Sequence, residues 1–213
     1  MKKAAAALSL ALFATACGGA DAPADAPAAG PVSTSGTFTY AIPTDPGALD
    51  PATGVLSVTN TVLSLAYDSL VHTAADGTPA PGIAEKWEVK PDAVTFTMRK
   101  DVTCSDGSKL TASNVADTVN HIADPDTKSP IYGVLVPTGM KAKADDAAGT
   151  VTLSTPEPFS FILQTAQSLF VVCGEGLKER SKLARGTSGS GPFVLTEAAP
   201  PVARVELAGP LTA

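Results

Sequence analysis

The stretch Asp76–Val115, DGTPAPGIAEKWEVKPDAVTFTMRKDVTCSDGSKLTASNV, decides how the chain folds. Glu85 to Lys90 and Val94 to Arg99 flank Pro91-Asp92, a pair suited to a hairpin turn. In the second run Val94, Phe96 and Met98 alternate with Thr95, Thr97 and Arg99. A period of two marks a strand with one buried face. A polar loop follows, and Thr111 is placed to cap a helix carrying Val115, Val119 and Ile122 on one stripe. That stripe ends before Pro125. Trp87, Phe96 and Met98 read as core rather than as a cage for a ligand.

Upstream, Thr37 to Ile42 alternates and is rich in Phe, Thr, Tyr and Ile, as a strand should be. Pro43 to Pro51 (PTDPGALDP) is a run of turn formers. Thr59 or Asn60 is expected to cap a helix reaching about Val71. Residues 1–16 form an export signal, with Lys2 and Lys3 before an apolar run too short to span a bilayer. Ala14-Thr15-Ala16-Cys17 resembles the lipobox of bacterial lipoproteins, although Ala14 departs from the usual leucine. Cys17 is thus the expected lipidation site, and an ordinary signal peptide with a stray cysteine is the alternative. Residues 17–36, built of Ala, Pro, Asp, Gly and Ser, cannot bury a core and read as a disordered tether.

Downstream, residues 124–137 form a loop broken by Pro125, Pro130 and Pro137. Thr150 to Thr155 reads as a strand, entered by a turn at Gly149. Phe159, Ile162, Leu163, Ala166, Leu169 and Phe170 lie on one helical stripe. Val171 to Cys173 is a candidate short strand, Gly186 to Gly191 a loop, and Phe193 to Glu197 a strand.

The 213 residues suffice for one sizeable domain or slightly more. Hydrophobic residues make up 44% of the chain, enough for a globular core. The net charge of −6 and the scattered Lys and Arg argue against a nucleic-acid partner, since phosphate binding needs clustered positive charge. With Cys17 set aside, Cys104 and Cys173 remain, an even pair in an exported chain and so a candidate disulfide. A bridge closing so long a loop is worth about 3–5 kcal/mol. Two buried free thiols are the alternative.

No catalytic constellation emerges, so neither an enzyme nor a cofactor is expected. Gly186-Thr187-Ser188-Gly189-Ser190 ends in serine where a nucleophile elbow needs glycine. Gly191 is followed by Pro192 rather than by the lysine of a P-loop. Gly174 and Gly176 are followed at the sixth position by Glu179, which breaks a dinucleotide fingerprint. His72 and His121 lack neighbours at metal-ligand spacing, and Asp124-Pro125-Asp126 lacks the glycine of a calcium loop.

Motifs spread along the chain carry a family resemblance. They are LDP at Leu49–Pro51, YDSLV at Tyr67–Val71 on the expected helix, and DGTPAPGIAEKWEV from Asp76. FTMRKDV at Phe96–Val102, SDGSKLTASNV at Ser105–Val115 and GSGPF at Gly189–Phe193 follow in order. Together they resemble the solute-binding family 5 proteins of ABC importers, the oligopeptide, dipeptide and nickel-type group. The resemblance covers residues 37–197 and implies a mixed α/β chain: the N-terminal lobe of a type II periplasmic-binding-protein-like fold. Family members are far longer, so the second lobe is expected to be missing. Residues 198–213 (AAPPVARVELAGPLTA) lose the family pattern, and a frameshifted or truncated reading frame is the expected cause.

The resemblance further implies a binding component that captures short peptides, or a related solute, outside the cytoplasmic membrane. It would hand them to ABC permease subunits and be held to the membrane by its lipid anchor. Binding would be weak or lost without the second lobe. The competing reading is a surface-anchored structural or interaction lipoprotein without transport activity. Carried over by motif, the ligand-facing positions are Thr44, Asp45, Pro46 and Gly47 in the loop after the first strand. Ile131, Tyr132 and Gly133 join them from the Ser129-Pro130-Ile131-Tyr132 segment. Asp45 would pair with a ligand amine, and Tyr132 would cover an apolar side chain. The alternative is that both loops are only turns.

Overall fold

A computed structural model of the chain describes residues 37–199 and 202–207, with side-chain placement for residues 42–195. The expected export signal, Cys17 and the tether lie outside the described residues. The chain is mixed α/β. It runs through β1 (Thr37–Ala41), α1 (Ser57–Ala66), β2 (Val71–Thr73), β3 (Pro79–Pro81), β4 (Ala84–Val89) and β5 (Ala93–Met98). There follow α2 (Ala112–Ala123), β6 (Lys141–Asp145), β7 (Thr150–Ser154), α3 (Ile162–Ser168), α4 (Glu175–Lys178), β8 (Phe193–Ala199) and β9 (Val202–Leu207).

The central hairpin forms as its alternation predicts. β4 and β5 pair antiparallel, with Trp87 opposite Phe96, and the Lys90 N–H closes the turn on Ala93 O at 2.7 Å. They belong to a four-stranded antiparallel sheet in the order β4-β5-β7-β6. Val94, Phe96 and Met98 of β5 and Val151 and Leu153 of β7 are buried in one core cluster. Val115, Val119 and Ile122 of α2 complete it, each fully buried. Trp87 is half-buried against the same cluster. Helix α2 starts with a reciprocal capping box between Thr111 and Asn114. Its first turn also docks on Asp146 in the β6–β7 turn: Ser113 donates to that carboxylate from its N–H at 2.8 Å and its Oγ at 2.6 Å. Further along α2, the Asn120 side chain donates to Ala142 O at 2.9 Å and accepts from Ala142 N at 3.0 Å. That amide covers outward-facing backbone groups on the edge strand β6.

Strand β6 has no counterpart in the sequence reading. Its sequence KAKAD alternates, but the inward residues are alanines, which carry little β signal. Helix α1 starts at Ser57 with Leu56 at the cap position and no side-chain cap, rather than at a Thr59 or Asn60 cap. Thr59 instead donates to Pro46 O. The helix also stops at Ala66, so Tyr67–Val71 is not helical as expected. Asp68 Oδ1 accepts from the Ser69 N–H at 2.8 Å, a local alternative to a helical bond, and Val71 is already in β2. Helix α3 is shorter than the Phe159–Phe170 stripe: the Phe159 N–H bonds to Pro91 O, and Phe161 faces solvent. Val171–Cys173 is not a strand. Its amides donate to Asp68 O, Thr118 Oγ1 and Ser188 O, so loops and a side chain take the place of a ladder.

The remaining strands form a three-stranded antiparallel sheet in the order β1-β9-β8, with Thr37 opposite Glu206 and Phe193 opposite Leu207. Strand β9 thus lies within the segment set apart as a tail. A second buried cluster of Ile42, Leu49, Val62, Leu63, Ala66, Tyr67, Val172 and Leu183 lies under α1. Between the two clusters, Val171 and Cys173 turn into the first and Val172 into the second.

Candidate functional site

The loop after β1 is fastened from below and from one side. Thr44 and Asp45 are exposed, Pro46 is buried and Gly47 is half-buried. Gly47 takes φ +73°, where a side chain would be strained, and its N–H donates to Asp45 Oδ1 at 2.9 Å. From the side comes a strap, Arg180–Arg185. The Arg185 guanidinium grips Asp45 with both terminal nitrogens, Nη1 at 2.8 and 3.1 Å and Nη2 at 3.1 Å. In the middle, the Leu49 N–H donates to Leu183 O at 2.8 Å. At the other end, Arg180 Nη1 donates to Asp50 Oδ1 at 3.0 Å. The Arg185 guanidinium, and then the Gly47 N–H, hold the Asp45 carboxyl below the usual carboxylate range.

The second loop is tied mainly to itself. Ile131 and Tyr132 are half-buried and Gly133 is exposed. Ile131 O accepts from the N–H groups of Val134, Leu135 and Val136 at 3.2, 2.9 and 3.1 Å. The Tyr132 hydroxyl accepts from the Gly139 N–H at 2.9 Å, and the half-buried ring packs against the main core cluster. The second segment is tied down just past the first loop by Ser129, whose Oγ donates to Ala52 O at 2.5 Å. Among the described residues no hydrogen bond or ion pair joins Asp45 to Tyr132.

The motifs that carried the resemblance converge on Tyr67 instead. Its hydroxyl donates to Leu49 O and accepts from the Ser188 N–H, both at 3.2 Å. Burial pushes the phenol well above its ordinary range. Gly191 N donates to Ala66 O at 3.1 Å, and the Ser105 N–H donates to Gly189 O at 2.8 Å. A Cβ on Gly189 or Gly191 would stand 2.5 Å from the Ala66 backbone, so only glycine lets the chain pass this close. The expected disulfide is formed beside this knot. Cys104 and Cys173 are both buried, bonded at a Cα–Cα distance of 6.0 Å across 69 residues of sequence.

Arg180 and Arg185 are the residues that sequence reasoning missed. In GLKERSKLARG they look like scattered surface charge, and only the fold lays them along the Asp45–Asp50 loop. Among the described residues no group of three His, Cys, Asp or Glu side chains is placed to hold a metal ion. No helix among them is long and apolar enough to cross a membrane.

Residues 78–208 match the family described as bacterial extracellular solute-binding proteins, family 5 middle. The chain is 35% identical over 115 residues to the periplasmic oligopeptide-binding protein OppA of Salmonella typhimurium, covering 46% of this chain and 21% of that one. It is 28% identical over 173 residues to the dipeptide-binding protein DppE of Bacillus subtilis, covering 72% of this chain and 32% of that one. Among solved structures, a substrate-binding protein from Microbacterium hydrocarbonoxydans, complexed with 4-hydroxybenzoate hydrazide, superposes with a TM-score of 0.67 at 33% identity. That match takes in 76% of this chain and 35% of the other. The chain therefore spans about a third or less of the length of these relatives and aligns with a portion of the type II solute-binding fold.

Proposed function

Because the chain belongs to the bacterial extracellular solute-binding proteins of family 5, a non-enzymatic transport component, we propose that it binds short peptides for an ABC importer. The observation that carries this reading is the family match over residues 78–208, together with relatives that bind oligopeptides and dipeptides. In this reading residues 37–197 form the N-terminal lobe, delivered by an export signal, anchored through Cys17 and facing permease subunits.

The ligand lies extended over the two loops, making main-chain hydrogen bonds as peptides do on strand edges. Asp45 stays ionised at neutral pH and supplies the negative charge for a ligand ammonium. Tyr132, with its hydroxyl engaged by Gly139, offers a ring to an apolar side chain. Thr44, Pro46, Gly47, Ile131 and Gly133 shape the backbone around them.

Titration calorimetry with a tripeptide library tests the reading. A saturable heat with a dissociation constant of about a millimolar or tighter is expected. A flat titration with a stably folded chain would sink it and favour the interaction lipoprotein. Saturation by 4-hydroxybenzoate hydrazide alone would move the ligand class to small aromatic acyl derivatives.

A further inference from the structure

Resting on the reading of residues 44–47 as ligand-facing, we propose that Arg185 is the resident occupant of the Asp45 carboxylate, and that a ligand bearing a free ammonium binds by exchanging with it. Arg185 then sets specificity without being part of the bound complex at that position.

Geometry supports the exchange. Arg185 uses both Asp45 oxygens, in three N–H···O contacts of 2.8–3.1 Å. A ligand ammonium seeking the same oxygens meets a filled site, since a bidentate guanidinium takes up the lone pairs facing it. The pair is also easy to open. Its side chains are 55% and 41% exposed, and exposed ion pairs are held weakly because water screens both partners.

The rest of the strap explains why the loop survives the exchange. Arg180–Asp50 is the inner pair, with side chains only 18% and 13% exposed. Separating it would strip two charges of their partners away from bulk water, which is far costlier. The Leu49–Leu183 backbone bond is untouched by movement of the Arg185 side chain. The Gly47 N–H keeps Asp45 aimed outward through its 2.9 Å bond. One strap thus has a fixed end and an exchangeable end. The net charge at Asp45 is conserved, because one cation replaces another.

The test is calorimetry with a tripeptide library and its N-acetylated counterpart on wild type, Arg185→Gln, Asp45→Asn and the double variant. Arg185→Gln is expected to tighten the free-amine library by about two- to fivefold, the range that loss of one exposed competing pair allows. The acetylated library should not respond. The gain should vanish in the Asp45→Asn background, as a double-mutant cycle requires of directly coupled groups. If Arg185→Gln weakens the free-amine library, or shifts both libraries alike, Arg185 is a structural brace and the proposal falls while peptide binding stands. If wild type binds both libraries equally, Asp45 is not an ammonium site and the proposal falls in the same way. If neither library binds any of the four folded proteins, the peptide reading itself falls and takes the exchange with it.

Discussion

In the β5–β7 pair every second side chain turns toward α2, and Val94, Phe96, Val151 and Leu153 disappear into one cluster. Around Tyr67 no such period operates. There a hydroxyl, two glycines, a serine amide and a leucine carbonyl, brought from segments far apart in the chain, close on one another. The first region is held by volume, summed over many weak apolar contacts. The second adds partner matching to its own buried cluster, where polar groups depend on a few specific partners. The contrast matters for function because the site borrows from the second region. The Asp45–Asp50 loop takes its position from Leu49, whose backbone meets Tyr67 on one side and Leu183 on the other.

If the sheet is held by volume, Phe96→Ala should produce the largest loss. The side chain is fully buried, and its removal deletes apolar contacts and leaves a cavity. The expected cost is about 3–5 kcal/mol, read from urea unfolding as a lower midpoint with an unchanged slope. A cost near 1 kcal/mol would mean that the sheet can collapse around the hole, and the comparison would fail on that side.

Tyr67→Phe probes the other region with almost no change of volume. It leaves the Ser188 N–H and Leu49 O without the hydroxyl that joins them. A cost of about 1–3 kcal/mol is expected, because buried polar groups lose a partner and gain no water. Hydrogen exchange should show where the loss falls: the Ser188 amide should exchange faster while amides of β5 keep their protection. Uniform loss across both regions would mean that the knot and the sheet are not separable.

The same contrast explains what could be read from the sequence. The hairpin, its turn at Pro91-Asp92, the Thr111 cap and the stripe on α2 are local patterns, and each is present as expected. The disulfide was expected from counting cysteines in a chain read as exported, and it forms. Strand β6 was invisible because alanines face its core side and lysines its other side. The extra turns assigned to α1 and α3 came from continuing a stripe beyond the point where tertiary bonds take the backbone. Asp68 ends one helix region, and Pro91 O draws Phe159 away from the other. At the candidate site the composition of both loops was legible as turn formers, but the strap was not. Nothing local in residues 180–185 says that Arg180 will meet Asp50 and Arg185 will meet Asp45.

His121 offers the smallest and most selective probe, because it lies on the helix that covers the sheet and feels the charges of the Arg180–Asp50 pair. It sits in the last turn of α2 with Thr127 Oγ1 at 3.3 Å from its Nδ1. A helix C-terminus favours a cation. Burial opposes it, and so does the charge of Arg180; Asp50 and Asp124 pull the other way. Burial wins, and the His121 pKa lies below the ordinary value of 6.5. A group favoured in its neutral form contributes fully above the unfolded value and loses that contribution as pH falls through 6.5 toward its folded value. The carboxyls of Asp45, Asp106 and Asp146 are held below their usual range, so their loss begins only below about pH 5. Moving from about pH 7.5 to about pH 5.5 therefore isolates the histidine window. Wild type should lose melting temperature over that step, and His121→Gln should lose less of it while Asp50–Arg180 stays paired. An equal loss in the two proteins would show that burial does not hold His121 in its neutral form in the folded chain.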